Sequence, residues 1–482
     1  MSTAFATADA PAIAPPPVSE SVIAAIKAVV GDAGWSLDQG RVDPKLTEWR
    51  GKWKGHTPLL VLPKTTEEVS KVVKICFDAG VAITPQGGNT GLVGGQIPQG
   101  EILLSTERMR AIRDLDPMDD VIVAEAGTTL AAVHEAAQEA GRRFPLSVAS
   151  EGSATIGGLV STNAGGTAVL RYGTMRDQVL GLEAVLPNGE IWNGLKRLRK
   201  DNTGYDLKQL LIGAEGTLGV VTAASLKLRP LLPSRAVAIA GLKSPKDAIA
   251  LLARAKAETG GALEAFELMS RLGLSLVLKN IPDQRDPLAQ AHPWYVLIEA
   301  ASGEPGAAEA SMERLLASAL EDGLIQDVAV AQSAAQMAAF WALRENQSAG
   351  QKAEGAAWKH DVSVPVSRIA DFIDAASADL HRRWPDVRIT AFGHVGDGNV
   401  HYDVLAVTGG DQALHASRRD EGARMVHDRV AALGGSISAE HGLGSMKTDE
   451  ALHYKSPVEV AAQRAVRLAL DPHRIMNPRV LF

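Results

Sequence analysis

Cysteine is nearly absent from this 482-residue chain: Cys76 stands alone. No intrachain disulfide can form, and neither a multi-thiolate metal site nor a CxxC redox pair is available, which fits a reducing cytoplasm. Nowhere do the roughly 18–20 consecutive apolar residues of a membrane span occur. An excess of positive charge is missing too. The net charge is −7 and the pI is near 6.0, which excludes nucleic acid as the main partner. The opening MSTAFATADAPAIAPPP has neither the basic start and apolar core of a secretory signal nor the arginines of a transit peptide, and a disordered tail is expected over 1–18. There is no Walker A loop, no clean Rossmann fingerprint and no repeat of solenoid length.

What the chain has instead is glycine, 46 residues of it, gathered into blocks. The length exceeds one ordinary core, so two or three domains are expected. The first block follows the strand Val81-Ala82-Ile83-Thr84 and reads Pro85-Gln86-Gly87-Gly88-Asn89-Thr90-Gly91-Leu92, continuing to Gly95. Clustered glycines let successive N–H groups point one way, forming a nest for anionic oxygens, phosphate above all. The second runs from Glu151-Gly152 through Thr155-Ile156-Gly157-Gly158 and Ser161-Thr162-Asn163 to Gly166. Its small residues let a large flat ligand approach the backbone. The third, Gly213–Thr222, contains Glu215-Gly216 and Gly219-Val220-Val221. One extended cofactor with a pyrophosphate and a ring system would use all three.

Between the blocks the helix signals are ordinary. Thr65 and Glu68 form a capping box, Val69, Val72, Val73, Cys76 and Phe77 make an apolar stripe, and Gly80 ends the helix. Cys76 is therefore expected in the core. Further helices are expected over 19–33, 129–140, 307–319, 331–353 and from Ser456-Pro457 to Leu470. After Ser234 the long glycine blocks stop, which places a domain boundary there.

They resume at Phe392–Tyr402, FGHVGDGNVHY, where His394 and His401 bracket a Gly-Asp-Gly-Asn turn. Apolar, β-prone residues on both sides predict a hairpin, with Gly396, Gly398 and Asn399 at positive φ. Two histidines around a turn are more often surface or packing residues than ligands. Glu440, after the glycine turn at Gly434-Gly435, would complete a three-ligand metal site with open positions.

These motifs in this order resemble the FAD-linked oxidase family of vanillyl-alcohol-oxidase type, and within it the D-2-hydroxyacid dehydrogenase branch, closest to the D-2-hydroxyglutarate dehydrogenases. The resemblance runs from about Ser19 to the C-terminus and is carried by PQGGNTGLVGG (85–95), the 151–166 block, DNTGYDLKQLLIGAEGTLGVVT (201–222), GHVGDGNVH (393–401) and EHGLGSMK (440–447). It implies an α+β fold: a two-subdomain FAD-binding domain (19–234), an inserted α+β cap domain (235–430) over the flavin ring, and a C-terminal segment (431–482) returning to the FAD domain.

The three glycine blocks and Asn477 would hold FAD. The attachment would be non-covalent, since the loop offers neither His nor Cys. His394, His401 and Glu440 match the metal ligands of the branch, with zinc as the expected ion, and His441 matches its base. Arg344 and Lys359 match the residues that bind the substrate carboxylate, with Ser348 as a hydroxyl donor beside them. Two positions depart from the pattern: Asp403 stands where the branch commonly has Asn, and Arg479 follows Asn477-Pro478 where Gly is usual. The implied activity is oxidation of D-2-hydroxyglutarate, possible also for D-malate, to the 2-oxo acid. A D-lactate or glycolate dehydrogenase of the same fold is the alternative within the class. A flavin-dependent ether-lipid-type synthase and a non-enzymatic metal-binding protein are the more distant ones. An electron-transfer flavoprotein is the expected acceptor, and a cytoplasmic homodimer the expected form.

Overall fold

The computed structural model describes residues 18–481, so the tail expected over 1–18 lies outside the described residues except for Val18. The chain divides into two compact units. One takes the described residues up to Gly165, Thr174–Pro230, and the chain from His441 on; the other takes Gly166–Gly173 and Leu231–Glu440. Helices and sheets are mixed in both, as the α+β expectation requires. Among the described residues no helix is long and apolar enough to cross a membrane.

The first unit contains two sheets and a short ribbon. Its strands are β1 (Trp35–Ser36), β2 (Leu60–Val61), β3 (Ile83–Gln86), β4 (Ile102–Ser105), β5 (Ile112–Asp116), β6 (Val121–Glu125), β7 (Arg142–Arg143), β8 (Val179–Val185), β9 (Ile191–Gly194), β10 (Val220–Lys227) and β11 (Arg229–Pro230). The four-stranded sheet has the order β1-β2-β4-β3, the five-stranded sheet β5-β6-β10-β8-β9, and β7 pairs with β11. The helix Thr66–Ala79 covers the four-stranded sheet. Thr65 accepts from the Glu68 N–H at 3.2 Å, and Gly80 ends the helix at φ +64°. The Glu68 carboxylate accepts from the Lys64 N–H instead of that of Thr65, so the return arm of the capping box lands one residue early. Val69, Val72, Val73 and Cys76 are fully buried, each large aliphatic side chain contributing about 1.5–3 kcal/mol of burial. That burial pushes the Cys76 thiol up to about 12, so the thiol is a packing group.

The C-terminal helix Pro457–Leu470, capped by Ser456, delivers the tail back to this sheet. There Ile83 N–H donates to Ile475 O, Asn477 N–H donates to Ile83 O, and Met476 bridges β3 in parallel. Asn477 is thereby seated beside the loop that leaves β3.

The second unit is built on one antiparallel sheet. Its strands are β12 (Ser234–Leu242), β13 (Leu263–Ser270), β14 (Trp294–Ser302), β15 (Asp327–Val330), β16 (Ala357–Ser363), β17 (Arg388–His394) and β18 (Asn399–Leu405), in the order β15-β12-β14-β13-β17-β18-β16. The single helix expected over 331–353 is two, Ala334–Glu345 and Gln347–Lys352. Asn346 separates them, its Nδ2 donating to Ala342 O at 2.8 Å, a local bond of the kind that competes with helix continuation. The hairpin forms as expected from β17 and β18. Only Gly398 of the three proposed turn residues takes positive φ, at +97°; the other left-handed position in the stretch is Gly393, at the end of β17.

Candidate functional site

Pairing register decides what shares a face with the two histidines. Glu267 on β13 is opposite His394 on β17, and Phe392 on β17 is opposite His401 on β18. Asp361 and Lys359 on β16 are opposite His401 and Asp403 on β18. Side chains directly across a ladder, and those two apart along a strand, lie on one face. Glu267, His394, Phe392, His401, Asp361, Asp403 and Lys359 therefore form a single patch on the sheet.

Glu440 reaches this patch through the segment after Gly435. Ser436 bridges Ser363, and the Glu440 N–H donates to Asp361 Oδ2 at 3.0 Å. Its two carboxylate oxygens then lie 3.5 Å from His394 Nε2 and 3.7 Å from His401 Nε2. One ligand atom from each of the three residues falls within 4.8 Å of the others. His394 Nδ1–H donates to Glu267 Oε1 at 2.7 Å, which leaves Nε2 for ligation. Asp361 Oδ1 lies 3.9 Å from His401 Nδ1 on the corresponding side of the second ring. Two imidazoles backed by carboxylates and converging on a third carboxylate fit a divalent cation with positions to spare.

The electrostatics agree with that donor set. Burial disfavours the His394 imidazolium, yet Glu267 and Glu440 outweigh it and raise the group to about 9. Burial raises the Glu440 carboxyl, with His394 opposing. Burial also carries Asp397 in the hairpin turn up to about 6. Glu267 is buried as well, but the charges of His394 and Arg344 hold it down at about 2. Glu267 and Asp361 were not among the residues singled out from sequence. Their signal was there: an acid between Phe266 and Leu268 in an apolar strand, and another in the β-prone Trp358–Pro365 stretch, both needing a buried partner.

Arg344 is buried, its Nε donating to Glu267 Oε2 at 2.7 Å and its guanidinium 5.1 Å from the Phe392 ring centroid. Lys359 Nζ donates to Asp403 Oδ2 at 2.9 Å, to Gln351 Oε1 at 3.1 Å and to Ser348 Oγ at 3.4 Å. Arg344, Ser348, Lys359 and Asp403 thus all belong to the unit that carries the histidines.

In the other unit the three glycine blocks and the tail meet. A methyl group on Gly87 would strike Thr155 Oγ1, and one on Gly88 would strike Ser153 O, so the first block lies on the second too closely for any side chain. Gly216 packs against Pro85, and the Glu215 N–H donates to Ser161 O at 2.8 Å. Asn477 Nδ2 donates to Gly95 O and to Glu215 O. Of the eight non-glycine residues at positive φ among the described residues, Asn89, Asn163, Glu215 and Asn477 lie on these segments, so half of that strain is concentrated here.

Many polar side chains of the blocks are spent on shaping backbone. Asn89 Nδ2 donates to Pro44 O and Thr47 O, Asn163 accepts from the Arg176 N–H, and Thr162 bonds Gly158 O. Ile156, Val220 and Val221 are core residues that offer only backbone, Glu151 and Gly152 are exposed, and Gly166 opens the short stretch belonging to the other unit. What is left over is informative. Gln86 Oε1, Thr155 Oγ1 and Asn477 Oδ1 are buried with no hydrogen-bond partner among the described residues. Unpaired buried acceptors and hydroxyls beside a glycine-only cradle fit a polar cofactor such as FAD.

Glu215 uses its side chain differently. Oε1 accepts from the Leu443 N–H at 2.9 Å and Oε2 from the Gly444 N–H at 2.8 Å. It clamps the turn that begins at His441.

Comparisons with known proteins show the family. A family model described as "FAD linked oxidases, C-terminal domain" matches residues 231–481, and one described as "FAD binding domain" matches 57–194. The mitochondrial D-2-hydroxyglutarate dehydrogenase of Arabidopsis thaliana is 38% identical over 94% of this chain and 80% of its own. The D-2-hydroxyglutarate dehydrogenase of Xanthomonas citri pv. viticola is 37% identical over 90% of this chain and 91% of its own. Among solved structures, p-cresol methylhydroxylase superposes with a TM-score of 0.76 over 96% of this chain and 98% of its own, at 17% identity, a likeness of fold. The chain carries an FAD-binding domain and belongs to the FAD-linked oxidase family, in its D-2-hydroxyacid dehydrogenase branch.

Proposed function

We propose that the chain oxidises a D-2-hydroxy acid to the 2-oxo acid, with D-2-hydroxyglutarate preferred and D-malate accepted. The observation that carries this is the convergence of His394, His401 and Glu440 at one sheet face that bears Lys359 and is met by Arg344 from the helix Ala334–Glu345. The names of the relatives support the substrate class. FAD, bound without a covalent link, supplies the hydride acceptor. A divalent cation, zinc by expectation, would be held by His394, His401 and Glu440 and would supply Lewis acidity toward the substrate hydroxyl.

The chain's own residues do the rest. Glu267 fixes the His394 ring, and Asp361 stands behind the His401 ring. Arg344 and Lys359 orient carboxylate, with Ser348 and Asp403 beside Lys359. His441 takes the hydroxyl proton on an imidazole nitrogen. The burial of Cys76 supports non-covalent FAD, since no other thiol exists to form a flavin link. The reduced flavin would pass its electrons to an electron-transfer flavoprotein, and the functional form would be a cytoplasmic homodimer.

Anaerobic flavin bleaching with D- and L-2-hydroxyglutarate, D-malate and D-lactate tests the reading. D-2-Hydroxyglutarate is expected to bleach the flavin fastest. If D-lactate does so instead, the alternative D-lactate or glycolate dehydrogenase stands. One observation favours that second reading: Lys359 already has a carboxylate partner, Asp403.

A further inference from the structure

Each cation on the histidine face already has a carboxylate partner. Arg344 is paired with Glu267, whose side chain is 1% exposed, and Lys359 with Asp403, whose side chain is 3% exposed. Glu440 and Asp361 add two more carboxylates, and Asp397 lies in the turn between the histidines. A divalent cation at His394, His401 and Glu440 would offset most of this negative excess without reversing it. The 1-carboxylate of any hydroxy acid already draws on that balance.

Position points to Lys359 and Asp403 as the place where substrates would be told apart. They are cross-strand partners one alternate step along β16 and β18 from Asp361 and His401. That step is about 6.7 Å, a span comparable to the extended chain of a five-carbon acid. A group held at His401 by its hydroxyl end would bring its far end to Lys359. There Lys359 is 28% exposed while Asp403 is buried beside it, so the ammonium can be reached and its counter-charge cannot move into water. A distal carboxylate at Lys359 must share one ammonium with Asp403, and like charges that share a site repel. A distal group without charge avoids that conflict.

We propose that Asp403 is a specificity-determining residue: by holding Lys359 it lowers the affinity for a second carboxylate and admits 2-hydroxy acids whose far end is uncharged. This rests on the reading of His394, His401 and Glu440 as the place where the hydroxy acid binds. D403N keeps the size of the side chain and removes its charge. Lys359→Gln removes the cation and leaves Asp403.

The test uses the FAD-loaded full chain. Glutarate and butyrate, which carry no hydroxyl to oxidise, are titrated by calorimetry. kcat/KM is then compared for D-2-hydroxyglutarate and D-2-hydroxyvalerate, which have equal chain length and differ in the far carboxylate. D403N is expected to raise the glutarate-to-butyrate affinity ratio, and the diacid-to-monoacid kcat/KM ratio, about ten-fold, the size of one hydrogen bond to a charged group. Lys359→Gln is expected to push both ratios below those of the unaltered chain. Ratios that stay put or fall in D403N overturn the proposal. Should that variant fail to fold, ratios unmoved by Lys359→Gln overturn it instead. A glutarate ratio that follows the variants while no D-2-hydroxy acid bleaches the flavin would leave Asp403 in place and remove the proposed reaction. Bleaching with ratios indifferent to D403N would do the reverse.

Discussion

The glycine segments and the histidine face are made of different material. The first are backbone: glycines where no methyl fits, asparagines turned inward to hold carbonyls, and core residues whose only free groups are amides. The second is side chain: seven residues on one face of an antiparallel sheet, placed by strand register and held by paired charge. A backbone site tolerates almost no added volume and carries few side-chain charges of its own. A side-chain site has the opposite sensitivities. Substitutions chosen by volume and by charge should therefore separate the two.

The largest effects come from the elements with no substitute. G88V drives a branched side chain into Ser153 O and is expected to abolish FAD retention, read as loss of flavin absorbance after gel filtration, with metal content by mass spectrometry intact. H394A is expected to do the reverse: metal is lost, turnover falls by about a thousand-fold or more, in line with losing a Lewis acid, and FAD stays. A variant of either kind that strips both groups would mean that the regions are not independent.

A smaller effect separates a ligand from what positions it. Glu267 accepts from His394 Nδ1–H and from Arg344 Nε–H at once. E267Q keeps the shape and loses the charge, and a carboxylate backing a histidine ligand is worth about 10–100-fold in metal affinity. The expected outcome is weaker metal retention against a chelator, with the flavin spectrum unmoved. Equal retention in E267Q and the parent would reduce Glu267 to a packing residue.

This contrast also sets how much could be read before the fold was known. The glycine blocks were legible because conformational need is written directly in residue type, and the meeting of His394, His401 and Glu440 because such side chains are rarely grouped by chance. Thr65, Gly80, Cys76 and the Ser456-Pro457 start all took their expected places. Glu267 and Asp361 show in the sequence only as acids in apolar strands; that they share a face with the histidines comes from register between strands far apart in sequence. The split at Asn346 and the single left-handed residue of the hairpin turn were hidden for a related reason: local bonds and strand twist chose among conformations that the residue types permit equally.

Glu215 works through both backbone and side chain. Its backbone belongs to the third glycine block, at φ +50°, and its carboxylate holds the N–H groups just after His441. E215Q can keep one of those acceptors and must turn an NH₂ group toward the other donor. A drop in kcat of about ten-fold with KM little changed is expected, because the proposed base is loosened while the substrate contacts remain. A KM effect alone would count against this role.

The smallest effect concerns the position that departs from the family pattern. Arg479 Nε donates to Glu101 Oε1 at 2.8 Å and one Nη to Ile97 O at 2.7 Å, so it ties the tail that carries Asn477 to the loop that follows the first glycine block. Glu101 is fully buried. Burial alone would raise its carboxyl, but the Arg479 hydrogen bond and charge outweigh it and hold the group below its ordinary range. A carboxylate lowered in the folded state adds stability above its unfolded value of about 4.3, and that stability is lost as pH falls through the folded value. R479G leaves Glu101 buried without its cation and is expected to cost about 1–3 kcal/mol near pH 7. As pH drops below the folded value Glu101 is protonated in both proteins, and the cost should shrink. Urea midpoints at pH 7 and at successively lower pH measure this directly. A stability gap that ignores pH would show that Arg479 acts through Ile97 and packing, with the Glu101 charge contributing little.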